Sequence, residues 1–164
     1  CGGPDYDASV FVLPQTGLPS AVADEIEAKI QEYMGDQLTV GVVTSPIFQH
    51  EKLIVEVISA THSVMILPKD SVIAFLNQGG PIPLDEWFDR AEFEEGVLEG
   101  KILELDEKGK LVDEKTGTHL FAIPMNKTRL FRELGYKEDS LYAVIMANAP
   151  DKQLAVTILK AIVG

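Results

Sequence analysis

Polar side chains that could bind a small ligand follow four short apolar runs of the sequence, at the points where each run would leave the protein core. In open α/β sheets, ligands gather outside the carboxyl ends of the strands, where loops and helix N-termini present polar groups. The eight residues at these positions are Gln15, Thr16, Thr44, Ser45, Lys69, Asp70, Met125 and Asn126. We predict that they converge along one edge of a sheet and bind a ligand there. Helix capping is the alternative role for Thr44, Ser45 and Asp70.

Catalytic chemistry has less support. No serine stands in the glycine-flanked elbow of a nucleophilic serine, and His50, His62 and His119 are scattered along the chain. His50 beside Glu51 is better explained as an exposed helix histidine than as part of a proton-transfer pair or metal site. We therefore predict no catalytic residue, although a triad assembled from distant residues would not be visible in the sequence.

Metal and cofactor sites are equally unsupported. The Gly79-Gly80 pair lies in no phosphate-binding loop, because neither a GxGxxG frame nor a following Lys-Ser/Thr is present. The acidic segment 85–99 lacks the alternating oxygen ligands of a calcium loop, so a solvated acidic face is the simpler explanation. The single cysteine, Cys1, has no partner at metal-ligand spacing. We predict no metal and no cofactor.

The composition is that of one folded globular domain. The 164 residues are 46% hydrophobic and 24% charged, which excludes disordered, collagen-like and coiled-coil proteins. A net charge of -12 would repel the phosphates of a nucleic acid, so we expect no nucleic-acid partner. No apolar run approaches the roughly 20 residues of a membrane-spanning helix.

The elements that would position the polar residues alternate between strands and helices. Apolar runs at 10–13, 38–43 and 64–67 predict strands, and each is followed by residues at helical spacing. The first of these helices begins at Pro19-Ser20 and ends at Gly35. This order predicts an α/β fold with a mainly parallel sheet and helices on both faces.

The second half of the chain adds further elements to this sheet. The predicted elements are a short helix at 84–88 with Asp85 as its cap, a β-hairpin within 101–113, strands at 119–123 and 141–147, and helices at 127–134 and 151–163. Trp87 and Phe88 are expected to pack on the core. We divide the chain into an N-terminal tether at 1–8 and a single α/β domain at 9–164.

The N-terminal segment Cys1-Gly2-Gly3-Pro4-Asp5 resembles the mature end of a bacterial lipoprotein. In such proteins the cysteine carries the lipid and the small residues behind it form a tether. The resemblance implies lipidation at Cys1, attachment to a membrane through that lipid only, and an extracytoplasmic location. A chance sequence is the alternative explanation.

Several segments resemble one lobe of the type 2 extracytoplasmic solute-binding proteins that serve bacterial ABC importers. The segments are Val64 to Asp70, Phe75 to Gly80, Pro83-Leu84-Asp85, Leu120 to Pro124 and Leu141 to Ile162, in the order of that family. The family inserts a second lobe between the last two segments, whereas this chain has only Met125 to Ser140. The resemblance therefore implies a single lobe, which would need another protein to close over a solute.

These observations favour a non-catalytic, lipid-anchored binding or transport-accessory protein. Its expected partner is a small solute or a membrane transporter or sensor protein. The alternatives are an interaction protein that docks on such a membrane partner without a small ligand and, less favoured, an enzyme whose site is hidden from the sequence.

Overall fold

A computed structural model describes residues 5–164, and the predicted lipidation site Cys1 lies outside them. The strands are β1 (Ala8–Val12), β2 (Val40–Val43), β3 (Val64–Pro68), β4 (Val97–Leu105), β5 (Leu111–Leu120), β6 (Ile123–Pro124) and β7 (Leu141–Val144). The α-helices are α1 (Ser20–Met34), α2 (His50–Ser59), α3 (Lys69–Leu76), α4 (Arg129–Leu134) and α5 (Lys152–Val163). Two 3-10 turns occupy Glu94–Gly96 and Met125–Lys127. The predicted α/β class is confirmed.

Five strands form the main sheet in the order β2-β1-β3-β7-β6. The predicted parallel arrangement of the first three strands is confirmed, because β1 pairs in parallel with both β2 and β3. β7, however, is antiparallel to both β3 and β6. The sheet is therefore mixed rather than mainly parallel.

The direction of β7 follows from the short segment that precedes it. α4 has six residues, which corresponds to a rise of only about 9 Å, and it packs against α1 and α5. The chain consequently leaves β6 and enters β7 at the same edge of the sheet, without the crossover that a parallel pair requires.

Alternating side chains of the strands fill two apolar cores, one on each face of the sheet. On β1, an inner strand of the sheet, Val10 and Val12 point to the core shared with α1, α4 and α5. Phe11, between them, points to the core shared with α2 and α3. All three side chains are fully buried, and helices cover both faces as predicted.

The hairpin forms a separate two-stranded sheet of β4 and β5. It is longer than predicted, and its Gly109 lies in the turn with φ of 80°. The predicted strand at 119–123 is divided: Leu120 ends the hairpin, whereas Ile123 pairs with Ala143 in the main sheet.

The predicted helix at 84–88 is wrong. Pro81 bridges to Met146, and the Ile82 and Leu84 amides donate to the carbonyls of Ile145 and Leu120 at 2.9 and 2.7 Å. This backbone is held extended by neighbouring strands, so the segment continues in turns instead of a helix. Trp87 and Phe88 nevertheless pack against the core as expected.

The outer edge of the main sheet at β2 is covered by side chains of α1. The outward amide of Val40 donates to Gln31 Oε1 at 3.0 Å, and that of Val42 donates to Glu27 Oε1 at 2.8 Å. Gln31 and Glu27 lie four positions apart, so both project from one face of the helix. The edge strand is thereby hydrogen-bonded without a sixth strand.

Among residues 5–164, no helix combines the length and the apolar character needed to cross a membrane.

Candidate functional site

The loops that carry the eight predicted residues leave the main sheet at one edge. β1, β2 and β3 run in the same direction, and β6 shares it because β6 and β3 are both antiparallel to β7. The carboxyl ends of these four strands therefore lie at the same edge, which we call the carboxyl edge. The opposite side of the sheet, where β1, β2 and β3 begin, is the amino edge.

At the β1 and β2 ends, the polar side chains of Thr44 and Ser45 hold the loops in place. Thr44 Oγ1 donates to the Val12 carbonyl at 2.5 Å, and Ser45 Oγ donates to the Ile47 carbonyl at 2.8 Å. Gln15 and Thr16 are exposed beside them. Thr16 Oγ1 makes a long hydrogen bond, 3.4 Å, to the Gly17 carbonyl, so Gln15 and Thr16 are more available to a ligand than Thr44 and Ser45.

The helix-capping alternative is wrong for the three residues to which it applied. The residue before α2 is Gln49, and the residue before α3 is Pro68, and neither helix receives a side-chain cap. Asp70 lies instead inside the first turn of α3, where it is exposed.

At the β3 and β7 ends, charged side chains surround an aromatic ring. Lys69 Nζ lies 5.8 Å from the ring centre of Tyr142, and the Lys69 amide donates to the Ser140 carbonyl at 2.9 Å. Burial, together with the negative charges of Glu95 and Asp139, raises the pKa of the Tyr142 phenol. Lys69 is half-buried and has no carboxylate within ion-pair distance in the described residues.

Lys127, in the turn after β6, pairs with Glu95. Its Nζ donates to Glu95 Oε1 at 2.9 Å and to the Glu92 carbonyl at 3.2 Å. The hydrogen bond from Lys127 lowers the pKa of the Glu95 carboxyl. Met125, in the same turn, is fully buried, which leaves its side chain no surface on which to meet a solute.

A surface cleft of about 440 Å³ opens at the end of β6, beside the predicted residue Asn126. Its principal lining residues are Asn126, Phe131, Arg132, Tyr136, Lys137 and Asp139. The Asn126 amide nitrogen donates to Asp139, and its oxygen accepts from the Glu138 amide at 3.3 Å. These two bonds clamp the loop before β7 onto the turn after β6.

The cleft contains two cations that the sequence analysis did not single out. Arg132 and Lys137 are exposed, and neither forms an ion pair in the part of the chain that the structure describes. Arg132 Nη1 has only a long bond, 3.4 Å, to the Lys127 carbonyl. The sequence contains a signal for them, because four of the 14 basic residues of this acidic chain fall within 11 positions. They are Lys127, Arg129, Arg132 and Lys137.

A different constellation lies at the amino edge, around the buried His62. Ser9 Oγ is 2.8 Å from His62 Nδ1, and Glu56 Oε2 is 2.6 Å from His62 Nε2. Lys52 Nζ lies 2.9 Å from the other oxygen of Glu56. Burial opposes ionisation of Glu56, but the hydrogen bonds from His62 and Lys52 outweigh it and lower the pKa of this carboxyl.

A groove beside the hairpin and an exposed apolar face of α2 are two further candidate surfaces. A groove of about 500 Å³ runs between the hairpin and the 79–87 segment, where Asp85 lies 3.7 Å from His119. The outer side of α2 exposes Val55 and Ile58. No group of three or more metal-ligating side chains occurs within residues 5–164.

Comparison of the chain with protein-family models, with curated proteins and with solved structures found no match.

Proposed function

We propose that this chain is a non-catalytic binding or transport-accessory protein that takes a small solute at the carboxyl edge of its main sheet. The observation that carries the proposal is the cleft beside Asn126, which joins two unpaired cations to an edge reached by four strand ends. A volume of about 440 Å³ falls in the usual range of small-molecule sites, roughly 300–1,000 Å³.

Because the carboxyl edge is open to solvent, we propose that a second protein covers it. A single lobe gives a solute one wall, and the resemblance to solute-binding proteins implies that an opposing wall comes from elsewhere. A membrane transporter or sensor is the partner that we propose, with the lipid on Cys1 holding the domain near it. Mass spectrometry of the native N-terminus tests this attachment, and an unmodified Cys1 in protein from its own cell would contradict it.

A thermal-shift screen of small solutes tests the binding proposal. A solute that binds only the folded protein at a hundredfold excess over its Kd stabilises it by about 2.7 kcal/mol. Arg132→Gln, at a residue that lines the cleft, should weaken this shift. The double variant Thr16→Ala, Lys69→Ala tests whether the solute also reaches the β1 and β3 ends of the carboxyl edge. Lys108→Ala, in the hairpin turn, is the matched control. Binding that survives the double variant and also Arg132→Gln would move the site away from the carboxyl edge.

One observation favours a second candidate function, an enzyme with a nucleophilic serine. Ser9, His62 and Glu56 form the hydrogen-bonded series of a serine hydrolase, in which histidine accepts the serine proton and the carboxylate orients the ring. The ring nitrogens are exchanged relative to the usual triad, since Ser9 faces Nδ1 here. Ser9 Oγ also lies 3.2 Å from the Thr61 carbonyl, which competes for its proton, and the clefts described above do not include Ser9. Binding is therefore the better supported function.

A fluorophosphonate probe distinguishes the two candidates. In an active site the Ser9 Oγ–P bond forms, the P–F bond breaks, fluoride leaves, and the serine proton passes to His62. Labelling of Ser9 that is lost in His62→Gln would establish the enzyme. We expect no labelling above that of Ser9→Ala.

A further inference from the structure

We infer that the cleft beside Asn126 binds an anion carried on a flat apolar body, such as an aromatic carboxylate or an aromatic phosphate monoester. This inference rests on the proposed function, because it names the ligand class for the same edge. It follows from the unpaired cations, the hydrogen-bonded carboxylate of Asp139 and the aromatic wall of the cleft.

The two cations supply the charge. Arg132 projects from α4 and Lys137 from the loop that follows, so the cleft has a positive group on each of two segments. Seven of the 14 Lys and Arg side chains of this acidic chain form ion pairs, whereas these two, which line one cleft, have no carboxylate within 4.0 Å in residues 5–164. A guanidinium presents donors in a planar fork that fits carboxylate or phosphate oxygens. An acidic group of a ligand is the partner that this pair lacks.

Asp139 is the negative group in the same cleft, and it is engaged by a hydrogen bond from Asn126. The Asn126 amide donates to one of its oxygens, so part of its acceptor capacity is already used. The amide itself is fixed from the other side by the Glu138 N–H. Asp139 therefore serves to hold the loop, and Arg132 and Lys137 are the charged groups left for a ligand.

The aromatic wall supplies the flat surface. The rings of Phe131 and Tyr136 meet edge to face, with their centres 4.9 Å apart. Phe131 is almost fully buried, so it orients the half-buried Tyr136, which is the ring that lines the opening. Gly135, with φ of 66°, ends α4 and turns the chain so that Tyr136 lies beside Arg132. A planar body can contact this ring while its acidic group reaches the cations.

Comparison with the groove between the hairpin and the 79–87 segment supports this choice of ligand. It is similar in size, about 500 Å³, but Asp85 and Glu86 line it and Lys152 is its only cation. An anion would meet a net negative charge there. Of the two, only the cleft beside Asn126 has an excess of positive groups.

Backbone amide NMR of the full chain, titrated with three probes, tests the inference. Phenyl phosphate has both the charge and the ring, inorganic phosphate has only the charge, and benzyl alcohol has only the ring. We expect phenyl phosphate to shift the amide signals of residues 131–139 and to bind more tightly than either of the others. Arg132→Gln and Lys137→Gln should each weaken it by about tenfold, the loss of one charge-assisted hydrogen bond.

Lys108→Gln is the control, because it removes one exposed positive charge from the hairpin turn, away from the cleft. Equal weakening in this control would mean that only the overall charge matters, and the inference would be wrong. Benzyl alcohol binding the cleft as tightly as phenyl phosphate would also overturn it, while leaving the proposed function in place. If phenyl phosphate shifts no amide of the cleft, the inference fails, and the solute screen with Arg132→Gln and with Thr16→Ala, Lys69→Ala still decides the proposed function independently.

Discussion

Charged and polar side chains lie at both the amino edge and the carboxyl edge of the main sheet, but their surroundings differ. At the amino edge, Ser9, His62, Glu56 and Lys52 form a continuous hydrogen-bonded chain around a histidine whose side chain is 4% exposed. At the carboxyl edge, Arg132 and Lys137 are exposed and have no carboxylate partner in the described part of the chain. Polar groups whose partners are all within the protein stabilise the fold, whereas polar groups without partners are available to a ligand.

The contrast also explains why the triad-like arrangement is weaker support for function than the cleft. Every polar atom of the His62 group already has a partner within the protein, as buried groups require. Its removal should therefore cost stability, and removal of Arg132 or Lys137 should cost binding.

The largest effect is expected from His62→Ala. The substitution leaves a cavity beside Phe11, whose ring centre is 5.2 Å away, and removes a hydrogen-bond partner from both Ser9 and Glu56. We expect the free energy of unfolding in urea to fall by about 2–4 kcal/mol. The exposed His50→Ala is the control and should change it by less than about 0.5 kcal/mol. Equal effects of the two variants would remove the distinction between the edges.

Gly17→Ala tests whether the loops of the carboxyl edge are fixed even though their polar groups are open. Gly17 has φ of 76°, and a Cβ there would lie 2.1 Å from the Pro46 carbonyl oxygen. We expect a loss of about 2 kcal/mol or more in the urea unfolding free energy, from strain and displacement of the 44–47 loop. Gly109→Ala has a similar φ of 80° but open space around it, so it measures the backbone strain alone. Losses of equal size would mean that the edge loop moves freely.

A change of pH tests the contact between α1 and α4, the helix that carries part of the cleft lining. Tyr33 of α1 donates to Glu133 of α4 at 2.5 Å, and Arg129 stacks 4.0 Å from its ring centre. Burial and this hydrogen bond raise the pKa of Tyr33 from 10.0 to about 12. Because the folded protein holds the phenol proton more tightly than the unfolded chain, stability is present below pH 10 and is lost as the pH rises towards 12. Tyr33→Phe should show less of this alkaline loss in denaturation measured across that range, and an unchanged profile would contradict the assignment.

The smallest effect on stability is expected from Glu95→Gln. This substitution tests whether a cation freed from its carboxylate at the carboxyl edge strengthens binding. Glu95 and Lys127 form an exposed pair, so the unfolding free energy should change by less than about 0.5 kcal/mol. The substitution frees Lys127 from its carboxylate and should make phenyl phosphate bind more tightly in the NMR titration. Glu99→Gln, an exposed residue of β4, is the control. Weaker binding in Glu95→Gln would contradict an anion site at this edge.

Much of the first half of the fold could be predicted because each element there carries its own signal. The apolar runs before Pro14 and Pro68 and the helix that ends at Gly35 depend on local periodicity and on residues that break it. The direction of β7 could not be predicted in this way, because it depends on where α4 packs. The helix expected at 84–88 failed for a similar reason: Asp85 accepts the Leu120 amide at 3.2 Å, a contact 35 positions away, instead of capping its own segment.

For the candidate site, the sequence could predict only that it lies at the carboxyl ends of the strands. Strand ends identify an edge, and Asn126 was expected there, but burial decides that Met125 faces the core. Arg132 projects from α4, and Lys137 reaches the same cleft because the chain turns at Gly135 after that helix; the sequence does not show that the two residues meet at the end of β6. Ser9 and His62 are 53 positions apart, so only the pairing of β1 with β3 brings them together.

The covered edge at β2 has a consequence for how the protein behaves when many copies are close together. An uncovered edge strand offers free amides and carbonyls on which a strand of another molecule can align, and this is a common beginning of aggregation. At Val40 and Val42 an incoming strand would first have to displace the side chains of Gln31 and Glu27. The α1 helix thus prevents the sheet from growing by addition of strands from other molecules at this edge.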